Sequence, residues 1–165
     1  MVHLISKVTH SKLFKLVNEM KLSDLQDSWK DDCKIDEMNL GRESARTPTL
    51  HAKYLNYLSS TRLNLRKTES DYLNCRRKKY KYYRGEMTKQ ELDDEGWEQW
   101  QGNKPLKNEM DEFLTVDNDL ILLQDKVEYF KTVLYQLEQI IRSLNSRTWD
   151  IKNAIEWNKF TNGMM

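Results

Sequence analysis

The feature that most constrains this chain is a stripe of apolar residues toward its C-terminal end. Leu120, Leu123, Val127, Phe130, Leu134, Leu137, Ile141 and Leu144 alternate spacings of three and four without a polar break. That period puts all of them on one face of an α-helix and on no single face of a strand. Asp117-Asn118-Asp119 offers a cap just ahead, while Ile151 and Ile155 extend the stripe past Thr148. Val133 and Ile140 widen it at a flanking position, which argues for more than two helices in the packed unit. The chain reads as all-α, two long helices with short N-terminal helices, assembling through this stripe as an oligomeric helical bundle. Its eight seam residues are the expected oligomerisation surface.

A second long helix precedes it. Thr47-Pro48 supplies a capping hydroxyl and a proline suited to the first helical position, and the next glycine is Gly85. A helix between them runs about 37 residues, or ~55 Å. Its seam is modest: Leu50, Tyr54, Leu58, Leu65 and Tyr72, with Thr61 and Thr68 in between. Such a helix is too polar to cover the 120–144 stripe alone, so other copies are expected to complete the cover; packing within one chain is the alternative. With 32% charged and 38% hydrophobic residues, the chain suits helices that bury a narrow stripe. Upstream, Ser23-Asp24 reads as the cap of a short helix ending near Asp32, and Ile35-Asp36 opens another that stops around Gly41.

Residues 20–165 read as one helical domain with a connector at 86–116. Residues 1–19 read as an extension, either a basic presequence-like helix or an upstream addition to a chain that starts at Met20. Lys7, Lys12 and Lys15 interrupt its apolar positions, so it cannot span a membrane.

Charge is distributed unevenly. Arg76-Arg77-Lys78-Lys79-Tyr80-Lys81-Tyr82-Tyr83-Arg84 holds six cations and no acid, although the net charge is only +1. From Glu86 to Asp119, eleven acids face three lysines. Cations neutralise phosphates, and tyrosine rings offer faces to unstacked bases. The plainer reading is a solvated helix end whose cations suit the negative end of the dipole. Within the acidic connector, Trp97 and Trp100 either anchor the loop or serve as a docking handle.

Catalytic signatures do not appear. Cys33 and Cys75 share no metal-binding spacing and read as reduced, buried thiols. His3, His10 and His51 pair with no carboxylate motif, and there is neither a phosphate-cradling glycine loop nor a nucleophile elbow. No enzyme, cofactor or metal site is expected.

An ordered set of segments resembles the UvsY-type recombination mediators of tailed phages. They are Met20-Lys21-Leu22-Ser23-Asp24-Leu25-Gln26, Ile35-Asp36, Leu40, His51-Ala52-Lys53-Tyr54-Leu55-Asn56, Tyr82-Tyr83-Arg84-Gly85, Leu114-Thr115-Val116-Asp117-Asn118-Asp119 and Asn153-Ala154-Ile155-Glu156-Trp157. The resemblance covers roughly residues 20–163, and residues 1–19 have no counterpart in it. It implies a non-catalytic protein that binds single-stranded DNA as a ring-like homo-oligomer, a hexamer or heptamer. Its implied partners are a RecA-like phage recombinase and the phage single-stranded-DNA-binding protein, with no membrane, in the cytoplasm of the infected host. The family's DNA-contacting cations align with Arg77 and Lys79. Local charge adds Arg76, Lys78, Lys81 and Arg84, and the rings of Tyr82 and Tyr83 complete the expected contact set. The basic run here is longer than the family's, and the acidic connector differs. An oligomeric helical scaffold that grips nucleic acid or anionic surfaces without loading a recombinase is the alternative.

Overall fold

The computed structural model describes residues 21–163, and among these every regular element is helical. α1 spans Leu22–Asp32, a 3-10 turn covers Glu37–Asn39, and α2 runs over Leu40–Arg84. α3 (Lys89–Glu95), α4 (Met110–Thr115) and α5 (Asn118–Thr161) follow. The all-α architecture with two long helices is thus as the stripe implied. None of the described helices is long and apolar enough to cross a membrane. The expectations for residues 1–19 lie outside the described residues.

The chain forms two compact units. One is Leu65–Tyr129; the other joins the described parts of Glu19–Asn64 and Phe130–Met165. In the second unit Leu25, Leu50, Tyr54 and Leu58 pack with Val133, Leu137, Ile140 and Leu144. The edge of the Trp29 ring meets Tyr54 with centroids 5.5 Å apart. Buried Asp32 accepts hydrogen bonds from Tyr54 Oη (3.0 Å), Lys53 (2.6 Å) and Arg46 (2.7 Å). Burial pushes its carboxyl up, yet the Lys53 and Tyr54 hydrogen bonds outweigh that and hold it below the usual range. Arg147, 3% exposed, donates to the carbonyls of Cys33 (2.9 Å) and Lys34 (3.0 Å) and to the Glu43 carboxylate.

Four local expectations change. α1 begins at Leu22 with Lys21 at the cap position, and Ser23 bonds only to Asp24. α2 starts at Leu40 and passes through Gly41 and Pro48. Proline removes one backbone donor from a helix. Here Leu40 and Glu43 are buried, and the Arg147–Glu43 ion pair holds the turn ahead of Pro48, so tertiary contacts override the local stop signal. Of the eight seam residues on α5, Leu120, Val127, Phe130, Leu137 and Leu144 are buried within the chain, whereas Leu123, Leu134 and Ile141 are half-buried. The flanking Val133 and Ile140 are as buried as the seam itself, because α1 joins α2 in covering it. Cys33 is exposed rather than buried, and Cys75 is half-buried; both thiols are free.

Candidate nucleic-acid interface

The basic stretch occupies the last turns of α2. The helix ends where Gly85 takes φ 66°, with Gly85 N–H donating to Tyr82 O and Glu86 N–H to Lys81 O. This paired closure satisfies two terminal carbonyls and needs a residue at ease in the left-handed region. Lysine and arginine suit this end because the helix dipole is negative there.

Around the helix the six cations have different surroundings. Arg76 meets Asp111 at 2.9 Å, Lys81 meets Glu91 at 3.2 Å, and Arg84 meets Glu86 at 2.7 Å. Lys78 pairs with Glu95. Arg84 also lies over the Tyr80 ring, 5.6 Å from its centroid. Arg77 is exposed and has no carboxylate partner among the described residues. Arg77, Lys78 and Lys81 line one side of an open groove of about 390 Å³, and Met87, Glu91, Asp94 and Glu95 complete it.

Lys79 is different. It is 8% exposed, with its ammonium 3.1 Å from Asp117 and 2.6 Å from Asp119. The same ammonium sits 4.3 Å from the centroid of the Trp97 ring. Burial lowers its pKa, but the Asp119 and Asp117 hydrogen bonds outweigh that and raise it overall. Asp117 also accepts from Tyr83 Oη at 2.6 Å, and it caps α5 through the N–H groups of Asp119 (3.0 Å) and Leu120 (3.2 Å). Burial raises the Asp117 carboxyl, and the Tyr83 and Lys79 hydrogen bonds more than reverse this. Burial and the Asp117 hydrogen bond push the Tyr83 phenol above its ordinary value.

The tyrosines face the connector. Tyr82 meets Trp97 and Trp100 at centroid distances of 5.2 and 5.8 Å, and Tyr83 meets Trp100 and Phe113 at 5.0 and 5.6 Å. All are edge-on contacts, the favoured geometry for aromatic rings. The tryptophans are therefore anchors that hold the connector to α2. Tyr72, Cys75, Tyr80 and Tyr83 flank a small core of Met110, Leu114 and Leu120.

The geometry thus divides the eight residues expected to bind nucleic acid. Arg76, Arg77, Lys81 and Arg84 are exposed, and Lys78 is partly so. Lys79, Tyr82 and Tyr83 have their functional groups turned onto the chain's own aspartates and rings. Sequence reasoning missed the carboxylates that meet the stretch: Glu86, Glu91, Glu95, Asp111, Asp117 and Asp119. Their signal was present as the acidic bias that follows Gly85, but pairing needs the return of the chain. Arg66 was also missed. It is exposed and lies three helical turns before Arg77, hence on the same face of α2. Among the described residues no cluster of His, Cys, Asp and Glu could hold a metal ion.

Residues 28–164 match the family model for UvsY, the recombination, repair and single-stranded-DNA-binding protein. The chain is 26% identical over 144 residues to the recombination protein UvsY of Enterobacteria phage T4, covering 87% of this chain and 99% of that one. Crystal structures of the bacteriophage T4 recombination mediator protein UvsY are similar in fold. Lattice type II superposes with a TM-score of 0.73 at 26% identity, covering 87% of this chain and 98% of that one. Lattice type IV gives 0.74 at 26% identity, covering 86% and 99%. This chain belongs to the UvsY family of recombination, repair and single-stranded-DNA-binding proteins.

Proposed function

We propose that this chain is a recombination mediator whose exposed cations at the end of α2 hold single-stranded DNA. It helps load a RecA-like phage recombinase onto strands coated with the phage single-stranded-DNA-binding protein. The observation that carries the contact assignment is Arg77: exposed, without an acidic partner among the described residues, and flanked by Arg76, Lys81 and Arg84. Arg66 extends the cationic face along the helix. Lys79, Tyr82 and Tyr83 build the frame that keeps these cations in place.

Counterion release gives the test. With about three to six charges delivered per subunit, log affinity against log salt should fall with a slope of roughly −2 to −4. Arg66→Ala with Arg77→Ala should weaken binding of a labelled oligonucleotide and flatten that slope by about one unit. An unchanged affinity and slope would return the stretch to a solvated helix end. Recombinase loading on pre-coated strands, with and without this protein, separates a mediator from a scaffold that binds DNA alone.

The same reading includes a homo-oligomer, in which many modest sites act on one strand. Since most of the seam is buried within the chain, its copies are expected to meet on the half-buried Leu134 and Ile141 and the exposed Tyr135, Trp149 and Phe160 of α5. Trp149→Asp with Phe160→Asp should yield smaller species in sedimentation while helical content is kept. Persistence of the parent assembly would place the interface elsewhere.

A further inference from the structure

α3 is an unlikely place for its own charges. Its start is well made: Thr88 and Glu91 form a reciprocal capping box. Its last turn is not, because Asp93, Asp94 and Glu95 crowd the end at which the helix dipole is already negative. No cation lies in that turn, and Leu92 is its one buried residue. The helix is flanked by two left-handed glycines, Gly85 (φ 66°) and Gly96 (φ 70°).

What offsets these charges comes from the basic stretch. Glu91 meets Lys81 and Glu95 meets Lys78, on opposite walls of the groove that Arg77 opens onto. Within α3 itself only the cap contacts, buried Leu92 and those two partly exposed ion pairs hold the helix. Trp97, just past Gly96, pins the chain that follows to Tyr82 and Lys79, so α3 swings between that anchor and Gly85. A phosphodiester spreads one negative charge over two non-bridging oxygens, and a glutamate carboxylate likewise offers an ammonium one charge on two acceptor oxygens.

We propose that α3 is a displaceable anionic cover whose Glu91 and Glu95 occupy the places on Lys81 and Lys78 that strand phosphates take. The proposal rests on the reading that the basic stretch binds single strands. Arg77, left open, receives the first phosphate; the next ones compete with the two carboxylates. Because the carboxylates are tethered, a lone phosphate cannot match their local concentration, whereas linked phosphates on one strand can. The cover therefore makes the site selective for polyanions of several residues over mononucleotides and inorganic phosphate.

The test uses the full chain and a labelled oligothymidylate. Glu91→Gln with Glu95→Gln removes both competing charges, and glutamine at position 91 still completes the capping box. Glu98→Gln with Glu112→Gln changes net charge equally at exposed connector positions away from the two ion pairs. Loss of two exposed ion pairs should tighten binding about three- to thirtyfold, against about twofold at most in the control pair. The salt slope should steepen by about one unit, since no carboxylates are released to recapture cations. Amides of α3 should also exchange faster when oligothymidylate is added to the parent protein. Equal tightening in both pairs, no tightening, or weaker binding in the first pair would overturn the cover while leaving the strand site standing. If the parent does not bind the oligonucleotide, or binds it independently of Arg66 and Arg77, the strand site falls and the cover with it.

Discussion

Lys79→Met is expected to damage the fold, whereas Arg77→Ala is expected to damage only binding. Removing the Lys79 charge leaves Asp117 buried, with Tyr83 and two backbone N–H groups as its remaining partners. Breaking a buried pair costs about 3–5 kcal/mol when nothing else satisfies the survivor. The retained hydrogen bonds reduce this to about 2–3 kcal/mol, a fall of about 4–12 °C in thermal midpoint for a chain of this size. The loss should depend on pH in a defined way. The Asp117 carboxyl is lowered in the folded protein, so its contribution is present above the ordinary value of about 3.9 and fades as pH falls through the lower folded value. The Lys79 ammonium is raised, so its contribution is present below about 10.4 and fades as pH rises through the higher folded value. The difference between Lys79→Met and the parent should therefore be flat from about pH 5 to 9 and shrink in strong acid. A Lys79→Met protein with the parent's midpoint at pH 7 would remove Lys79 from the frame and return it to the strand-contacting set.

The largest expected loss of stability is at Arg147. Its guanidinium is the donor for two loop carbonyls and for Glu43, which is itself buried. Arg147→Met leaves the Glu43 charge with only the more distant Arg46, 4.0 Å away, and should cost up to about 3–5 kcal/mol in urea unfolding. Glu43→Gln added to Arg147→Met should recover part of it, since a neutral amide is less costly to leave there. The lesion should also be local. Amides preceding Pro48 should lose hydrogen-exchange protection, and α2 would then begin at Thr47-Pro48. Uniform weakening of α2 along its whole length would contradict that assignment.

These two residues also mark where sequence stopped being informative. The heptad on α5 and the terminator Gly85 were legible because period and backbone preference are local properties. The start of α2 was not, since Thr47-Pro48 is a sound helix start and only the distant Arg147 makes an earlier one stable. The 47–85 helix alone is too polar to cover the α5 stripe, and what the sequence left unseen is that α1 adds Leu25 and Trp29 to the same core. At the site, a run of consecutive cations looks uniform in sequence. On a helix those residues point in different directions, and Lys79 alone turns toward Asp117 and Asp119. Trp97 and Trp100 were left open between anchors and a docking handle because their partners, Tyr82 and Tyr83, were read as open faces.

The Asp117 side chain has a consequence for how such chains diverge. One carboxylate closes the first turn of α5, neutralises Lys79 and receives the Tyr83 hydroxyl, so a change at any of these positions disturbs the other two. Lys79, Tyr83 and Asp117 should then be inherited as a block and substituted together. Arg76, Arg77, Lys81 and Arg84 obey no such restriction, because each meets at most partners at the surface. Related chains are free to lengthen, shorten or reshuffle that outer set, which on the proposed reading tunes the grip on a strand gradually, while the fold beneath is untouched.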